Sequence, residues 1–296
     1  MKKVTIFGVG NIGVRVAYFL ARSREIASIR LVDVDPERSR ATTFDFLQSN
    51  VALQSKIAFS PYDEPKEISQ SDVVIVAAGV KGRADSNVEM PPADDITMMN
   101  EIATHIGHFA PEAVVAIISQ PAELFSRILQ QHGFIDPQRI IGFPLLIYRE
   151  WFRDHLARVV GMSHEDIRIT TVRTLQGEDL VKDQCSVSGV PLVGLLEDEA
   201  TLPSGPGQEE IHSRVTHHHY SPAAVVSEVT TELVAKRRQV ITCVAMHPDQ
   251  DAFLECKAVV GPEGVEHVLE LALESEQRRR HEEYRKRVVE LTRKLA

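Results

Sequence analysis

Cysteine is scarce in this chain: Cys185, Cys243 and Cys256 are the only three among 296 residues. Odd in number and not spaced as metal ligands, they exclude a disulfide framework and a thiolate zinc site, and they fit reduced thiols in a cytoplasmic protein. Long apolar runs are missing too. None approaches the roughly 18 residues that a membrane span requires, and the opening Met1–Phe7 stretch is broken too soon by glycines to be a signal peptide. Basic charge is short: 33 Lys and Arg stand against 42 Asp and Glu, a net −9. That balance argues against a nucleic-acid partner, which selects for a basic face. No internal repeat is present. What remains is ordinary for a soluble globular protein, 43% hydrophobic and 25% charged, and the length suffices for one large core or two modest ones.

The first half alternates short apolar runs with helical patterns. Strands are expected at Val4–Gly8, Ile29–Asp33, Val73–Ala78, Ala113–Ser119 and Arg139–Gly142. Their β-branched, nearly continuous apolar character suits strands buried on both faces. Amphipathic segments near 11–23, 37–48, 94–109 and 121–132 lie between them. Such alternation implies right-handed βαβ units and an α/β, Rossmann-type doubly wound parallel sheet over residues 1–142. The second half, 143–296, reads as an α+β domain for substrate and subunit contacts. It has a helix near 146–160, strand-like runs at Ile167–Leu175 and Ser186–Leu192, and a Pro/Gly-rich loop at Thr201–Gly207. A helix over 221–238, strands at 239–245 and 253–259, and a charged C-terminal helix complete it.

One turn carries chemistry. Gly8-Val9-Gly10-Asn11-Ile12-Gly13 is a G-x-G-x-x-G that directly follows a buried strand and opens an amphipathic helix. There Gly8 permits the sharp bend, Gly10 lets a pyrophosphate approach the backbone, and Gly13 lets helix and strand pack closely. The helix N-terminus presents free N–H groups and partial positive charge to the phosphates. Twenty residues beyond Gly13, the second strand ends at Asp33. A carboxylate at that point bonds the adenosine ribose hydroxyls and repels a 2′-phosphate, so the expected cofactor is NAD rather than NADP. Arg38 and Arg40 read as a solvated helix face.

With these residues in place, the chain resembles the lactate/malate dehydrogenase superfamily over nearly its whole length. Ala77-Ala78-Gly79-Val80 is similar to the family's turn beside the nicotinamide ribose. Asn100 falls where the family has an asparagine near the cofactor, and Ser119-Gln120-Pro121 stands for its Asn-Pro turn. Arg139–Gly142, Gly189–Leu192, Tyr220-Ser221-Pro222-Ala223-Ala224 and Gly261–Gly264 come in family order after them. The resemblance implies the fold above, NAD held by Gly8, Gly10, Asn11, Ile12, Gly13, Asp33, Ala78, Gly79, Asn100 and Gln120, and a homo-oligomer, dimer or tetramer.

The family's catalytic set does not carry over. Its enzymes reduce a 2-oxo acid with a His general acid oriented by an Asp, while arginines clamp the carboxylate and polarise the carbonyl. Here the His position holds Gln176, in Gln176-Gly177-Glu178, and the Asp position holds Tyr148. The carboxylate clamp is Trp151, the mobile-loop Arg is Ala93, and Gln120 replaces the substrate-binding Asn. Gln cannot shuttle a proton near neutral pH as His does. An aromatic ring cannot make the bidentate contact that an Arg makes to a carboxylate.

Several residues are left to supply chemistry. His217-His218-His219 precede the helix that, by resemblance, lines the substrate pocket; they offer an acid/base group, or form a polar loop, and no metal site is expected. Tyr148 can donate a proton, or pack between domains. Glu178 is an alternative base, or a surface carboxylate. Arg83, Trp151 and Ser221 are expected to touch substrate, whereas Arg149 should project to solvent. The C-terminal run Arg278–Glu283 reads as a solvated face. The expected function is therefore an NAD-dependent oxidoreductase acting on something other than a simple 2-hydroxy acid. An inert NAD-binding sensor or scaffold, and a lyase or epimerase using tightly held NAD transiently, remain open beside it. Neither nucleic acid nor membrane is an expected partner, and the substrate is a small molecule.

Overall fold

The computed structural model describes residues 2–62, 64–79, 89–144, 147–195 and 219–295. In the first half, β1 (Lys2–Phe7), α1 (Asn11–Leu20), β2 (Ile26–Val32), α2 (Pro36–Leu53) and β3 (Ala58–Pro61) are followed by β4 (Val73–Val76) and α3 (Ala93–Phe109). Next come β5 (Val114–Ile117), α4 (Ala122–Gly133) and β6 (Ile140–Gly142). These six strands are parallel neighbours in the order β3-β2-β1-β4-β5-β6, so the chain reverses its direction of growth between β1 and β4. The expected strands and helices are all present. Two features go beyond the expectation: β3, too short and too mixed in pattern to stand out, and the extension of α2 to Leu53.

Successive residues of the central strands fill opposite cores, which is why their sequences run apolar without a break. Val73, Ile75, Val114 and Ala116 face α1, while Val74, Val76, Val115 and Ile117 face α3 and α4. Local signals set the helix ends. Pro36 occupies the first turn of α2, and the Asp35 carboxylate accepts from the N–H groups of Glu37 (3.1 Å) and Arg38 (3.3 Å). This is an N-cap that satisfies donors the helix cannot.

The second half contributes α5 (Ile147–Val160), short strands β7 (Ile167–Arg168), β8 (Thr171–Thr174), β9 (Gly177–Leu180), β10 (Ser186–Val187) and β11 (Val190–Pro191), and then α6 (Tyr220–Val234). It ends with β12 (Gln239–His247), β13 (Ala252–Gly261), β14 (Gly264–Leu269) and α7 (Ser275–Leu295). The expected run Ile167–Leu175 is divided because the chain changes partner within it: β7 pairs with β10, and β8 forms a hairpin with β9. Strands β12 to β14 extend the parallel sheet, joined antiparallel at its β6 edge through Val244 opposite Gly142, for nine strands in all. The Thr201–Gly207 loop lies outside the described residues. Among those described, no helix is long and apolar enough to cross a membrane.

Helices α3 and α4 touch backbone to backbone. A Cβ on Gly107 would stand 2.8 Å from the Gly133 Cα and closer still to that residue's carbonyl. Alanine at 107 would gain roughly 0.5–1 kcal/mol in helix propensity, but overpacking costs about 1–3 kcal/mol. Gly107→Ala is therefore expected to lower the unfolding midpoint; an unchanged or raised midpoint in urea would show that the two helices separate freely.

Candidate functional site

Register places the site. Phe7 lies beside Val32 and Val76, and Val76 beside Ile117, so the carboxyl ends of β1, β2, β4 and β5 are level. The residues just past these strand ends therefore converge: Gly8 after β1, Asp33 after β2, Ala77–Gly79 after β4, Ser119-Gln120 after β5. In open α/β sheets a ligand binds at this point, where the strand order reverses.

The glycines of the turn divide their tasks as the sequence suggests. Gly8 has φ +93°, and a Cβ on it would stand 2.6 Å from the Ala78 backbone nitrogen. The bend after β1 is thus pressed against the end of β4, and only glycine fits. A Cβ on Gly13 would run into the Gly8 carbonyl, whereas Gly10 faces open space. No side chain caps the first turn of α1, so its N–H groups are available to an anion. Asp33 is nearly buried, with its carboxylate fixed by the N–H of Val9 (2.7 Å) and of Asp35 (3.0 Å). Arg38 does not simply face solvent: its guanidinium reaches to 3.7 Å from Asp33 and 4.0 Å from Asp35. Arg40 pairs with Glu37 at 2.8 Å.

The opposite lip comes from α3 and the end of β5. Asn100 holds a buried side-chain oxygen without a hydrogen-bond partner. An unpartnered oxygen at this edge can accept a hydrogen bond from a ligand. Ser119 Oγ donates to the Ala78 carbonyl, which fixes the turn after β4. Gln120 donates its amide to the Phe143 carbonyl at 2.8 Å and to the Ile118 carbonyl at 3.1 Å, tying the end of β5 to the segment after β6. An open Gly10, an uncapped helix end, a fixed Asp33 and the Asn100 oxygen together fit a dinucleotide with free ribose hydroxyls.

The second half closes over this edge. Helix α6 packs along α1, with Ser227 Oγ donating to the Val16 carbonyl at 3.4 Å, and the Arg15 guanidinium lies 4.5 Å from the centre of the Tyr220 ring. That contact sets the head of α6, with half-buried His219 and Ser221, beside α1. Trp151 on α5 is partly buried, stacked on His155 with centroids 5.2 Å apart and edge-on to Phe152. Of Tyr148 only the backbone, in the first turn of α5, is described. Gln176 is exposed at the tip of the β8–β9 hairpin. Arg83, His217 and His218 lie outside the described residues.

Arg149 and Glu178 also depart from expectation. Arg149 does not project to solvent: it is mostly buried, pairs with Glu150 at 3.1 Å, and its charge acts on both Glu178 and Cys243. Two residues before Trp151, it lies about half a turn round the helix from that ring, and its side of the helix faces inward. Glu178 is no surface carboxylate, being buried directly opposite Arg173 across the hairpin.

Arg173 and Glu178 belong to a cluster that sequence reading missed. Glu123 of α4, Glu255 of β13 and Tyr284 of α7 are buried around them, three carboxyls to one guanidinium. Tyr284 Oη donates to Glu123 at 2.8 Å and accepts the N–H of Glu255 at 3.2 Å. His281 bonds the Arg173 carbonyl at 2.9 Å, and Arg280 pairs with Asp179 at 2.8 Å, so part of the supposedly solvated C-terminal run is turned inward. Burial raises the Glu178 carboxyl above its ordinary range, with Arg173 and Arg149 pulling the other way. Burial, then repulsion from Glu178, holds Glu255 well above its ordinary range. Arg173 stays charged because the attraction of Glu255, Glu123 and Glu178 outweighs its burial. The available signal is Glu255 itself, an acidic residue inside the apolar run Ala252–Val260.

The fold and this edge define a nucleotide-binding protein of the Rossmann class. Residues 2–142 match the lactate/malate dehydrogenase NAD-binding domain, and over nearly its whole length the chain is similar to proteins of the lactate/malate dehydrogenase superfamily. It is similar to the malate dehydrogenase of Thermoplasma acidophilum, 25% identical with 91% of this chain and 89% of that protein covered. A second malate dehydrogenase, from Neorickettsia sennetsu, is 26% identical with 95% and 94% covered. Among solved structures, the apo malate dehydrogenase of Picrophilus torridus superimposes with a TM-score of 0.85 at 21% identity, covering 99% of this chain and 97% of that one. The lactate dehydrogenase of Cryptosporidium parvum, solved with lactic acid and nicotinamide adenine dinucleotide, gives 0.85 at 21% identity, covering 99% and 98%. These likenesses confirm the doubly wound sheet with its α+β continuation, and NAD is the cofactor. The chain has the build of an NAD-dependent oxidoreductase of lactate/malate dehydrogenase type.

The buried cluster gives a pH signature. Glu178 and Glu255 have folded-state values raised above those of the unfolded chain, so their contribution to stability is complete at low pH and is lost as pH rises through the raised values. Glu255→Gln keeps the shape and removes the ionising group, so its unfolding midpoint should fall less than the wild type's between weakly acidic and alkaline buffer. Parallel declines would contradict this assignment. Tyr284→Phe strands Glu123 and the Glu255 N–H, at a cost of about 1–3 kcal/mol in urea unfolding.

Proposed function

We propose that this protein is an enzyme that transfers a hydride between NAD and a small carbonyl, hydroxyl or imine compound other than a simple 2-oxo or 2-hydroxy acid. The observation that carries the reading is the hairpin tip, where exposed Gln176 stands with buried Glu178 and Arg173 behind it. An amide at that tip can hydrogen-bond a substrate oxygen but cannot exchange a proton with it near neutral pH. A proton must then come from elsewhere, and the nearby candidates are Tyr148, at the start of α5, and His219, at the head of α6.

In this reading residues 1–142 hold NAD, and 143–296 supply the substrate wall and subunit contacts. Gly8, Gly10, Asn11, Ile12 and Gly13 cradle the pyrophosphate, Asp33 takes the ribose hydroxyls, and Ala78, Gly79, Asn100 and Gln120 flank the nicotinamide half. Arg83, Trp151 and Ser221 contact the substrate; an indole favours a larger, less acidic molecule than malate. Exposed apolar side chains on α1 and α2, among them Tyr18, Phe44, Leu47 and Val51, support a homo-oligomer, because such clusters favour protein contacts over water. We place the protein in the cytoplasm, where its three free thiols stay reduced.

Loss of NADH absorbance with a panel of carbonyl compounds and imines tests the proposal. Pyruvate and oxaloacetate should give almost no rate, and at least one bulkier, uncharged compound a clear one. A robust rate with oxaloacetate would overturn the substrate class. NADH binding without turnover across the panel would overturn the enzyme reading in favour of a sensor.

A further inference from the structure

Two of the three cysteines face one another across a pair of strands. Cys243 of β12 and Cys256 of β13 are directly opposed in the antiparallel register, and neither is bonded. Opposed residues of an antiparallel pair project to the same face, with Cα atoms about 4.5 or 5.5 Å apart according to the hydrogen-bonding position. Both spacings lie within the roughly 4.4–6.8 Å that a disulfide bridges. The two thiols differ in access. Cys243 is fully buried in the core beneath α6, while Cys256 is half-buried and packed against that core. An oxidant therefore meets one sulfur, and the second waits directly behind it.

We propose that Cys243 and Cys256 form a dithiol oxidation site that a hydroperoxide converts reversibly to a disulfide. The Cys256 sulfur attacks a peroxide oxygen. The O–O bond breaks, Cys256 becomes a sulfenic acid, and its former proton leaves with the departing oxygen as water. The Cys243 sulfur then attacks the Cys256 sulfur, the S–O bond breaks, and hydroxide leaves with the Cys243 proton as a second water. The dithiol has lost two electrons and two protons, and one hydrogen peroxide has become two waters. This division of labour agrees with the environment of Cys243, whose thiol is pushed well above its ordinary value by contact with Cys256 and by burial. Such a thiol is a poor first nucleophile but is well placed to resolve a neighbouring sulfenic acid.

The position also gives the bridge a reach into the cleft. Val244, next to Cys243, pairs with Gly142, and the adjoining Phe143 carbonyl receives Gln120. Arg149 is close enough for its charge to act on the Cys243 thiol. Cys185 provides an internal control: it is buried elsewhere, with its thiol donating to the Val181 carbonyl at 3.2 Å.

Native protein treated with hydrogen peroxide, quenched, denatured and alkylated tests the site directly. The expected result is loss of two of the three alkylatable thiols, one linked peptide joining Cys243 and Cys256 within a single chain, and full recovery on treatment with dithiothreitol. In Cys256→Ser, both remaining thiols should stay alkylatable. Full alkylation of all three thiols after peroxide, sulfinic or sulfonic acid at Cys256 without a link, a bridge involving Cys185, or a bridge between chains would each overturn the proposal. The readout is covalent and needs neither a substrate nor a bound cofactor.

Discussion

Asp33 accepts the N–H of Val9 at 2.7 Å, and the arrangement of the nucleotide edge depends on that bond. It ties the end of β2 to the turn after β1 and leaves the second carboxylate oxygen facing the Asp35 N–H. The turn can lie there only because Gly8 accepts a left-handed φ against the end of β4 and Gly13 lets α1 settle on the Gly8 carbonyl. A side chain at Gly13 would push the helix off the turn, one at Gly8 would push the turn off the end of β4, and in either case the donors at the N-terminus of α1 would no longer converge with the ribose-binding carboxylate. Close backbone approach therefore comes first, and the electrostatics of the helix end depend on it.

The second half is held to this edge by different means. Helix α7 reaches back to the β8–β9 hairpin through His281 and Arg280 and to α4 through Tyr284. The hairpin carrying Gln176 thus rests on a buried set in which three carboxyls surround Arg173. Burial of these acids in one another's company is the physical reason Glu178 and Glu255 are displaced upward. The hairpin tip is consequently mounted on a buried polar floor.

Much of the first half is legible in the sequence because its signals are local. The G-x-G-x-x-G, Asp33 at the end of an apolar run and Asp35-Pro36 opening a helix all act within a few residues of themselves. Strand β3 is hidden because four residues ending in proline carry no periodicity. The inward turn of Arg149 and the burial of Glu178 are invisible for another reason. Each depends on packing between segments far apart in sequence: the charge of Arg149 on α5 reaches Glu178 of β9, and Glu178 lies close enough to Glu255 of β13 to repel it. Glu255 has one legible mark, its place inside an apolar strand, which calls for a buried partner. The register of Cys243 with Cys256 emerges only once β12 and β13 are paired.

Calorimetric titration of the purified protein with NADH and NADPH asks directly whether the turn at Gly8, with its Asp33, holds NAD. One NADH per chain should bind, with NADPH weaker by at least about tenfold, or roughly 1.4 kcal/mol. No heat of binding with NADH, or NADPH binding equal to or tighter than it, would contradict that assignment.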